Sequence, residues 1–340
     1  MKQGRFEEIV AKYPRLRIAV VGDFCLDRYL EIDPARREVS IETGLEVYNV
    51  VKVRSQLGAA GTILNNLVAL GVGELHPVGF YGEDGEGYEL FRAMRGLPAV
   101  STHEFWQTLE RRTFTYCKPM VVESGQPPRE LNRLDSKNWS PTPELVQKTL
   151  CQSLRRVAGL VDAIVLMDQV DFPETGVVTS GLLDSVRAES TNRPSLLMIG
   201  DSRRSLKDWP PVCLKMNESE LQKLTGRFSS SVDDIAATAA NLARAHGRSV
   251  FVTLAERGII GAQPDGVFAH VPAAGVRGEI DIVGAGDAVT ANLTAALAAG
   301  ATLREALEMA MAAASIVIHQ LGTTGTARVD DIRALLFPGP

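Results

Sequence analysis

The segment Glu279-Ile-Asp-Ile-Val-Gly-Ala-Gly-Asp287, followed by the run AVTANLTAALAAG from Ala288 to Gly300, decides the reading of this sequence. Gly284 and Gly286 permit a tight backbone turn, and the alanine-rich run behind them predicts a helix from the turn to near Gly300. The first amides of a helix lack intrahelical partners and carry the positive end of its dipole, so such a turn can hold an anion. Asp287 falls in the first turn, where the same dipole favours a carboxylate. A carboxylate beside an anion hole can take a proton from an attacking hydroxyl while the amides hold phosphoryl oxygens. From this segment alone a plainer reading stays open, a tight strand-to-helix turn with an acidic first turn. A dinucleotide fingerprint needs G-x-G-x-x-G/A, and its third position here is Val289. A Walker phosphate loop occurs nowhere in the chain, nor do protein-kinase signatures.

Outward from that segment, apolar runs alternate with helical stretches. Arg17 to Val21, Leu75 to Phe80, Ala163 to Met167, Ser195 to Ile199, Val212 to Met216 and Ser249 to Leu254 read as strands. Asn65 to Leu70, Gly85 to Met94, Pro173 to Arg187, a stretch from Asn217, and residues 288–299 and 303–318 read as helices. This alternation predicts an α/β fold with a mainly parallel sheet covered on both faces. Runs ending in Asp or Asn, at 23, 168, 201 and 217, should converge where the carboxyl ends of the strands face a ligand crevice. Residues 30–56 and 113–122 mix Val and aromatic residues with polar ones. They read as a small β-lid over the crevice, or alternatively as two edge strands of the main sheet.

The chain has 340 residues, is 45% hydrophobic and 23% charged, and reads as one domain over 1–340. Thirty-six basic against 41 acidic residues give a net charge of −5, which provides no basic field for nucleic acid or an anionic membrane. The apolar run around 309–318 is short of the roughly 18 residues needed to span a bilayer. The charged N-terminal stretch MKQGRFEEIVAKYPRLR has no signal-peptide core. Cys25, Cys117, Cys151 and Cys213 are widely spaced and read as reduced thiols, so a cytoplasmic protein is expected. His76, His103, His246, His270 and His319 show no metal-ligand spacing.

Asp281 to Asp287 (DIVGAGD) closely resembles the C-terminal D-x-x-G-A-G-D signature of the ribokinase-like carbohydrate kinases of the phosphofructokinase B type. Gly22-Asp-Phe-Cys-Leu-Asp27 resembles that family's substrate strand, Asn217-Glu-Ser-Glu220 its N-x-x-E, and Thr253-Leu-Ala-Glu-Arg-Gly258 its nucleotide strand. Leu321-Gly-Thr-Thr follows the last long helix as in the family, and order and spacing agree over roughly residues 17–337.

The resemblance implies a ribokinase-like fold and an ATP-dependent sugar kinase. Asp287 would be the base, and the N–H groups of Gly284, Ala285 and Gly286 would hold the transferring phosphoryl group. Asp27, Asp23, Gly58, Thr62 and Lys118 would bind the acceptor. Asn217, Glu220, Thr253, Glu256 and Gly258 would serve the nucleotide, with Asn217 and Glu220 ordering Mg²⁺ through water. Asp281 and the Val283 carbonyl match positions for a monovalent cation such as K⁺. The family also implies a homodimer through the β-lid. Blander readings accompany several of these: Asp27 paired with Arg28, Asn217 and Glu220 as a capping box, and Gly258 as a hairpin turn.

Within the family, VVGDFCLDRY, RRTFTYCK, LNRLD and the run from Gly284 to Thr323 resemble the heptose-7-phosphate kinases of ADP-heptose synthesis. No H-x-G-H nucleotidyltransferase motif occurs in the sequence. A phosphorylated acceptor would need cations, and Lys118, Arg112, Arg133 and Arg203 are the candidates. Other features depart from the family. Its G-G-x-x-N loop reads Gly58-Ala-Ala-Gly-Thr62 here, Met311 replaces an adenine-side Asn, and His319 replaces a Gly. These changes leave two alternatives, a kinase for another sugar or nucleoside, and a catalytically silent binding relative.

Overall fold

The computed structural model describes residues 1–338 except Ser230 and Arg277. Its centre is a nine-stranded sheet. In spatial order the strands are Phe268–Val271, Ile259–Ala262, Val250–Thr253, Cys213–Asn217, Leu197–Ser202, Ala163–Asp168, Arg17–Gly22, Glu74–Gly82 and Phe105–Thr108. Neighbours pair in parallel except at one edge, where Ile259–Ala262 runs antiparallel to both of its partners.

The central strands are apolar on both faces because both faces are covered. Along Arg17–Gly22 the side chains alternate between two cores. Ile18 and Val20 enter one with the helices Ala60–Ala69, Ala285–Ala298 and Leu303–Val317. Ala19 and Val21 enter the other with Glu144–Ala158, Ser180–Asn192 and Val232–His246. The alanines of the first group let the 285–298 and 303–317 helices pack closely against each other, with Ala291, Ala295, Ala310 and Ala313 fully buried.

A second sheet stands beside the carboxyl ends of the first. Its main path is Leu134–Ser136, Phe114–Val121, Phe24–Ile32 and Val50–Ala59, with Arg129–Glu130 added to the edge of Phe114–Val121. It starts at Phe24, ahead of residue 30, and takes in segments between 129 and 136. Glu38–Val39 and Glu46–Val47 form a separate short hairpin. Phe24–Ile32 pairs antiparallel with Val50–Ala59 and parallel with Phe114–Val121, which sets Asp27 beside Gln56 and Tyr116.

The chain passes from the large sheet to the small one at Asp23, which is fully buried. Its Oδ2 accepts the amides of Gln169 (2.8 Å) and Val170 (3.3 Å), and its Oδ1 accepts that of Val177 (2.7 Å). Residues 173–179 are therefore a loop rather than the start of the helix expected from Pro173. The helix begins at Ser180, capped by the Thr179 hydroxyl, which accepts from the Leu182 amide. Gly176 is required there, since a Cβ would lie 2.4 Å from Asp23 Oδ1. Losing the Asp23 carboxylate strands three buried amides, so Asp23→Ala should cost roughly 2–4 kcal/mol in urea denaturation. Unchanged stability would contradict this bridging task.

Candidate active site

Polar groups gather at the carboxyl ends of the central strands, between the two sheets. The turn before the 285–298 helix is closed by Gly284 at φ 83°, a left-handed conformation that suits glycine. The Ala285 amide closes this turn on the Ile282 carbonyl at 3.2 Å. Helix geometry leaves the amides of Gly286 and Asp287 without intrahelical acceptors. The opposite wall is close, because a Cβ on Gly284 would lie 3.5 Å from the Thr62 methyl and from Thr324.

Above this turn sits a buried cation. Lys215 Nζ lies 3.1 Å from where a Cβ on Gly286 would stand. The parallel register sets Lys215 beside Asp201, and Nζ donates to Asp201 Oδ2 at 2.8 Å. The Thr290 hydroxyl donates to the same oxygen at 3.0 Å. Burial alone would lower the Lys215 ammonium, but the carboxylates of Asp201, Asp287 and Glu220 raise it and keep it charged. Burial, reinforced by the Asp201 carboxylate, pushes Asp287 up to about 7, against the pull of Lys215 and Arg203. A base poised there is matched to neutral pH.

Asn217 and Glu220 form a capping box: Asn217 Oδ1 accepts the Glu220 amide at 2.9 Å, and Glu220 Oε2 accepts the Asn217 amide at 2.7 Å. The cap is at a strand's carboxyl end, so it also lines the cleft. With Oδ1 engaged, Asn217 offers the cleft an N–H donor suited to a phosphate oxygen or a water. Glu220 keeps its second carboxylate oxygen, and burial pushes its proton affinity up.

Across the cleft, Asp27 projects from Phe24–Ile32 and is pushed up by burial, with Lys118, Arg133 and Arg203 pulling it down. Arg28 points to the other side of that strand and pairs with Glu86 and Glu89 instead of Asp27. Gly58 lies opposite, where a Cβ would meet Asp27 Oδ2 at 2.8 Å. Lys118 Nζ sits 4.8 Å over the Tyr29 ring and 3.3 Å from its hydroxyl. Thr62 lines the cleft, but its hydroxyl donates to the Leu57 carbonyl at 3.4 Å. Asp23, tied into the buried network, is set apart from this group.

Two contiguous cavities result. The polar cleft, about 680 Å³, holds Asp27, Lys118, Asp201, Lys215, Glu220 and Asp287. An adjoining apolar pocket of about 480 Å³ is lined by Leu254, Val276, Ile280, Val289, Met311 and Ile318, with Glu256 and Gly258 at its wall. The two share Asn217, Thr253, Ile282 and Gly286, so they meet at the amide turn. Gly258, at φ 98°, belongs to a tight approach as well as to the pocket, since a Cβ would lie 2.0 Å from the Val271 carbonyl oxygen. Asp281 ties loops together, accepting from the amides of Val283 (3.0 Å) and Gly322 (3.2 Å). Arg112 lines a surface depression with Glu110 and Trp139 rather than the cleft. His246 and His270 bond the Val212 and Arg257 carbonyls, and the described residues hold no metal-binding cluster of three or more His, Cys, Asp or Glu.

Residues 199–329 match the model of the pfkB family carbohydrate kinases. The chain is 29% identical over 326 residues to bifunctional protein HldE of Gluconobacter oxydans and 31% over 330 residues to that of Rhodospirillum rubrum. These alignments cover 95% and 96% of this chain and 65% and 64% of those proteins. Over residues 199–329 the chain is thus similar to the pfkB family of carbohydrate kinases. It spans about 65% of the length of these curated relatives. The ribokinase-like fold is shared with solved structures. Arabidopsis thaliana ribokinase complexed with ribose and ATP superposes with a TM-score of 0.67 at 19% identity, covering 95% of this chain and 99% of that one. Escherichia coli phosphofructokinase-2 with substrates and products gives 0.69 at 17%, covering 94% and 98%.

Lys215 was absent from the sequence-derived site, and its partner Asp201 was expected there only as one of the run ends facing the crevice. Their signal was a lysine inside a short buried strand, a residue type that is rarely interior without a partner. The loop from Gly58 to Thr62 carries a further structural consequence. Ala59 occupies φ 54°, ψ −118°, a conformation costly for any residue with a Cβ. Ala59→Gly should therefore raise stability by roughly 1 kcal/mol in chemical denaturation, and a loss of stability would show that the strain estimate is misplaced.

Proposed function

We propose that this chain is an ATP-dependent kinase that phosphorylates a sugar already carrying a phosphate, with heptose 7-phosphate the favoured acceptor. One observation carries the reading: an apolar pocket sized for a nucleobase opens, through the amide turn at Gly284 to Asp287, onto a cleft with Asp27 and Lys118 at its far side. The acceptor hydroxyl oxygen attacks the γ-phosphorus, and the bond from that phosphorus to the β–γ bridging oxygen breaks. The electron pair leaves with ADP, and the hydroxyl proton passes to Asp287. Little covalent work falls to the protein, so orientation and charge placement dominate. Asp27 accepts hydrogen bonds from acceptor hydroxyls, while Lys118 and Arg133 seat its phosphate.

The donor set fits Mg²⁺ held chiefly by phosphates and water, with the free oxygen of Glu220 and the amide of Asn217 orienting those waters. When bound, the ion would neutralise charge on the triphosphate. The K⁺ position fits less well. Both Asp281 oxygens already accept backbone amides from the loops they join, and no step runs through such an ion. The four cysteines are free, which suits a reducing cytoplasm. Among the described residues no helix is long and apolar enough to cross a membrane. A second copy of the chain is the proposed cover for Val39, Ile41, Leu45, Val51 and Val53, which the small sheet and its hairpin expose.

A second reading, a kinase for a different sugar, is favoured by Thr62. Its hydroxyl is turned onto Leu57, so the acceptor is read there by a methyl group rather than by an amide.

The deciding experiment is ADP release across sugars and sugar phosphates. Heptose 7-phosphate should be turned over and unphosphorylated sugars should not. Turnover of free sugars alone removes the phosphate reading, and no turnover at all favours a silent binding protein. Asp287→Asn should lower kcat by about 10²–10⁴-fold.

Asp287 acts deprotonated, so with its pKa at about 7 activity should rise with pH through that value and level off above it. Removing the Asp201 charge lowers Asp287, so Asp201→Asn should move the acid limb to lower pH. A limb that stays in place would mean another group is the base.

A further inference from the structure

We infer that Arg203 grips the γ-phosphoryl group of the triphosphate as it passes to the acceptor. This rests on the kinase reading above and adds to it the group that holds the phosphoryl in transit. Arg203 follows the strand Leu197–Ser202, and its amide donates to the Asp168 carbonyl at 3.0 Å, so its backbone is fixed at the cleft floor. The next residue, Arg204, turns inward and pairs with buried Asp168 at 2.8 Å. Arg203 does not. It is exposed, lines the cleft, and among the described residues its guanidinium makes no ion pair and no side-chain hydrogen bond.

The other cations of the cleft are mostly engaged. Lys137 meets Asp171 at 2.6 Å, Arg133 meets Asp135 at 3.0 Å, and Lys215 meets Asp201 at 2.8 Å. Lys118 lies over Tyr29 on the small sheet, at the acceptor end. Among the described residues lining the cleft, Arg203 is therefore the cation left with all its side-chain donors free. It lines the same cleft as Asp27, Glu220 and Asp287, and its charge reaches all three. Held beyond ion-pair distance of all three, it has no internal partner to satisfy its five donors. A planar fork of donors matches the oxygens of a phosphoryl group, and a cation there offsets the charge those carboxylates would set against an incoming polyanion.

The test compares the affinities of ATP and ADP, each with Mg²⁺ and without acceptor, for the wild type, Arg203→Ala and Arg203→Lys by calorimetry. The side chain is exposed and unpaired, so both variants should fold, as a melting curve will confirm. Arg203→Ala should weaken ATP at least tenfold while leaving ADP within about twofold, and Arg203→Lys should recover part of the difference. With a turned-over acceptor, kcat should fall by about 10²–10³-fold, the range for loss of one donor to transition-state charge, with acceptor KM little changed. Equal loss of both nucleotides, or no loss, overturns the assignment to the γ-phosphoryl group. A rise in acceptor KM alone would place Arg203 at the acceptor's phosphate instead. A wild type that binds ATP yet phosphorylates nothing removes the kinase reading while leaving the ATP-to-ADP comparison intact. Failure to bind either nucleotide removes both.

Discussion

The site depends on a helix start that remains open towards a cleft. Gly284 takes a left-handed turn, the Ala285 amide closes it, and the amides of Gly286 and Asp287 are left without intrahelical acceptors at the positive end of a fourteen-residue helix. Everything nearby answers the electrostatic problem this creates. In the proposed reaction a polyanion comes to rest beside Asp287, Asp201 and Glu220, three carboxylates whose charges oppose it. Amide dipoles supply part of the compensation without side-chain entropy. Lys215 supplies another part, fixed by Asp201 and buried so that water screens it little. Burial, helped by the Asp201 carboxylate, raises Asp287, so the setting that opposes an anion would also give the proposed base a useful proton affinity.

The fold delivers these groups by simple means. Parallel strands bring their carboxyl ends to one edge, so Asp201, Asn217 and Thr253 need no long loops to meet. The exit from Arg17–Gly22 is different, because there the chain leaves the main sheet and becomes the strand carrying Asp27. The buried Asp23 carboxylate holds that exit in place through three amides. Burial pushes its proton affinity up, and Asp168 beside it is driven to about 7 by burial and by Asp23 itself. Arg204 and the Ser202 hydroxyl sit on Asp168 and keep this doubly acidic spot tolerable.

Much of this was legible in the sequence. Two-faced apolar runs ending in Asp or Asn pointed to the parallel sheet and to the edge where the cleft lies, and the glycine-flanked helix start does open onto that cleft. At Asn217 and Glu220 the capping box and a place in the cleft wall occur together, because a cap at a strand's end already faces the cleft. What stayed hidden depended on facts the local pattern does not hold. Asp23 and Asp27 are four residues apart and would share a face on one continuous strand. A sheet-to-sheet kink at Asp23 turns that carboxylate inward. The Lys215–Asp201 pair depends on register between strands that meet only in three dimensions. The helix expected from Pro173 yields to a loop because a buried carboxylate needs the Val177 amide.

The donor and acceptor halves of the site are also joined by a continuous set of contacts. Gln56 lies opposite Asp27 in the small sheet, and its Oε1 accepts from the Thr323 hydroxyl at 3.1 Å. The neighbouring Gly322 amide donates to Asp281, whose other oxygen accepts from Val283 just before the anion turn. Thr324, one residue further on, packs against Gly284 itself. Along this side of the cleft the strand of Asp27 and the turn are thus linked by three hydrogen bonds and one close contact. A shift of the small sheet by even a few tenths of an ångström must either stretch one of these bonds or move the turn. Close-packed interiors transmit such strain rather than dissipate it. The turn at Gly284 is for this reason tied to the strand that holds Asp27.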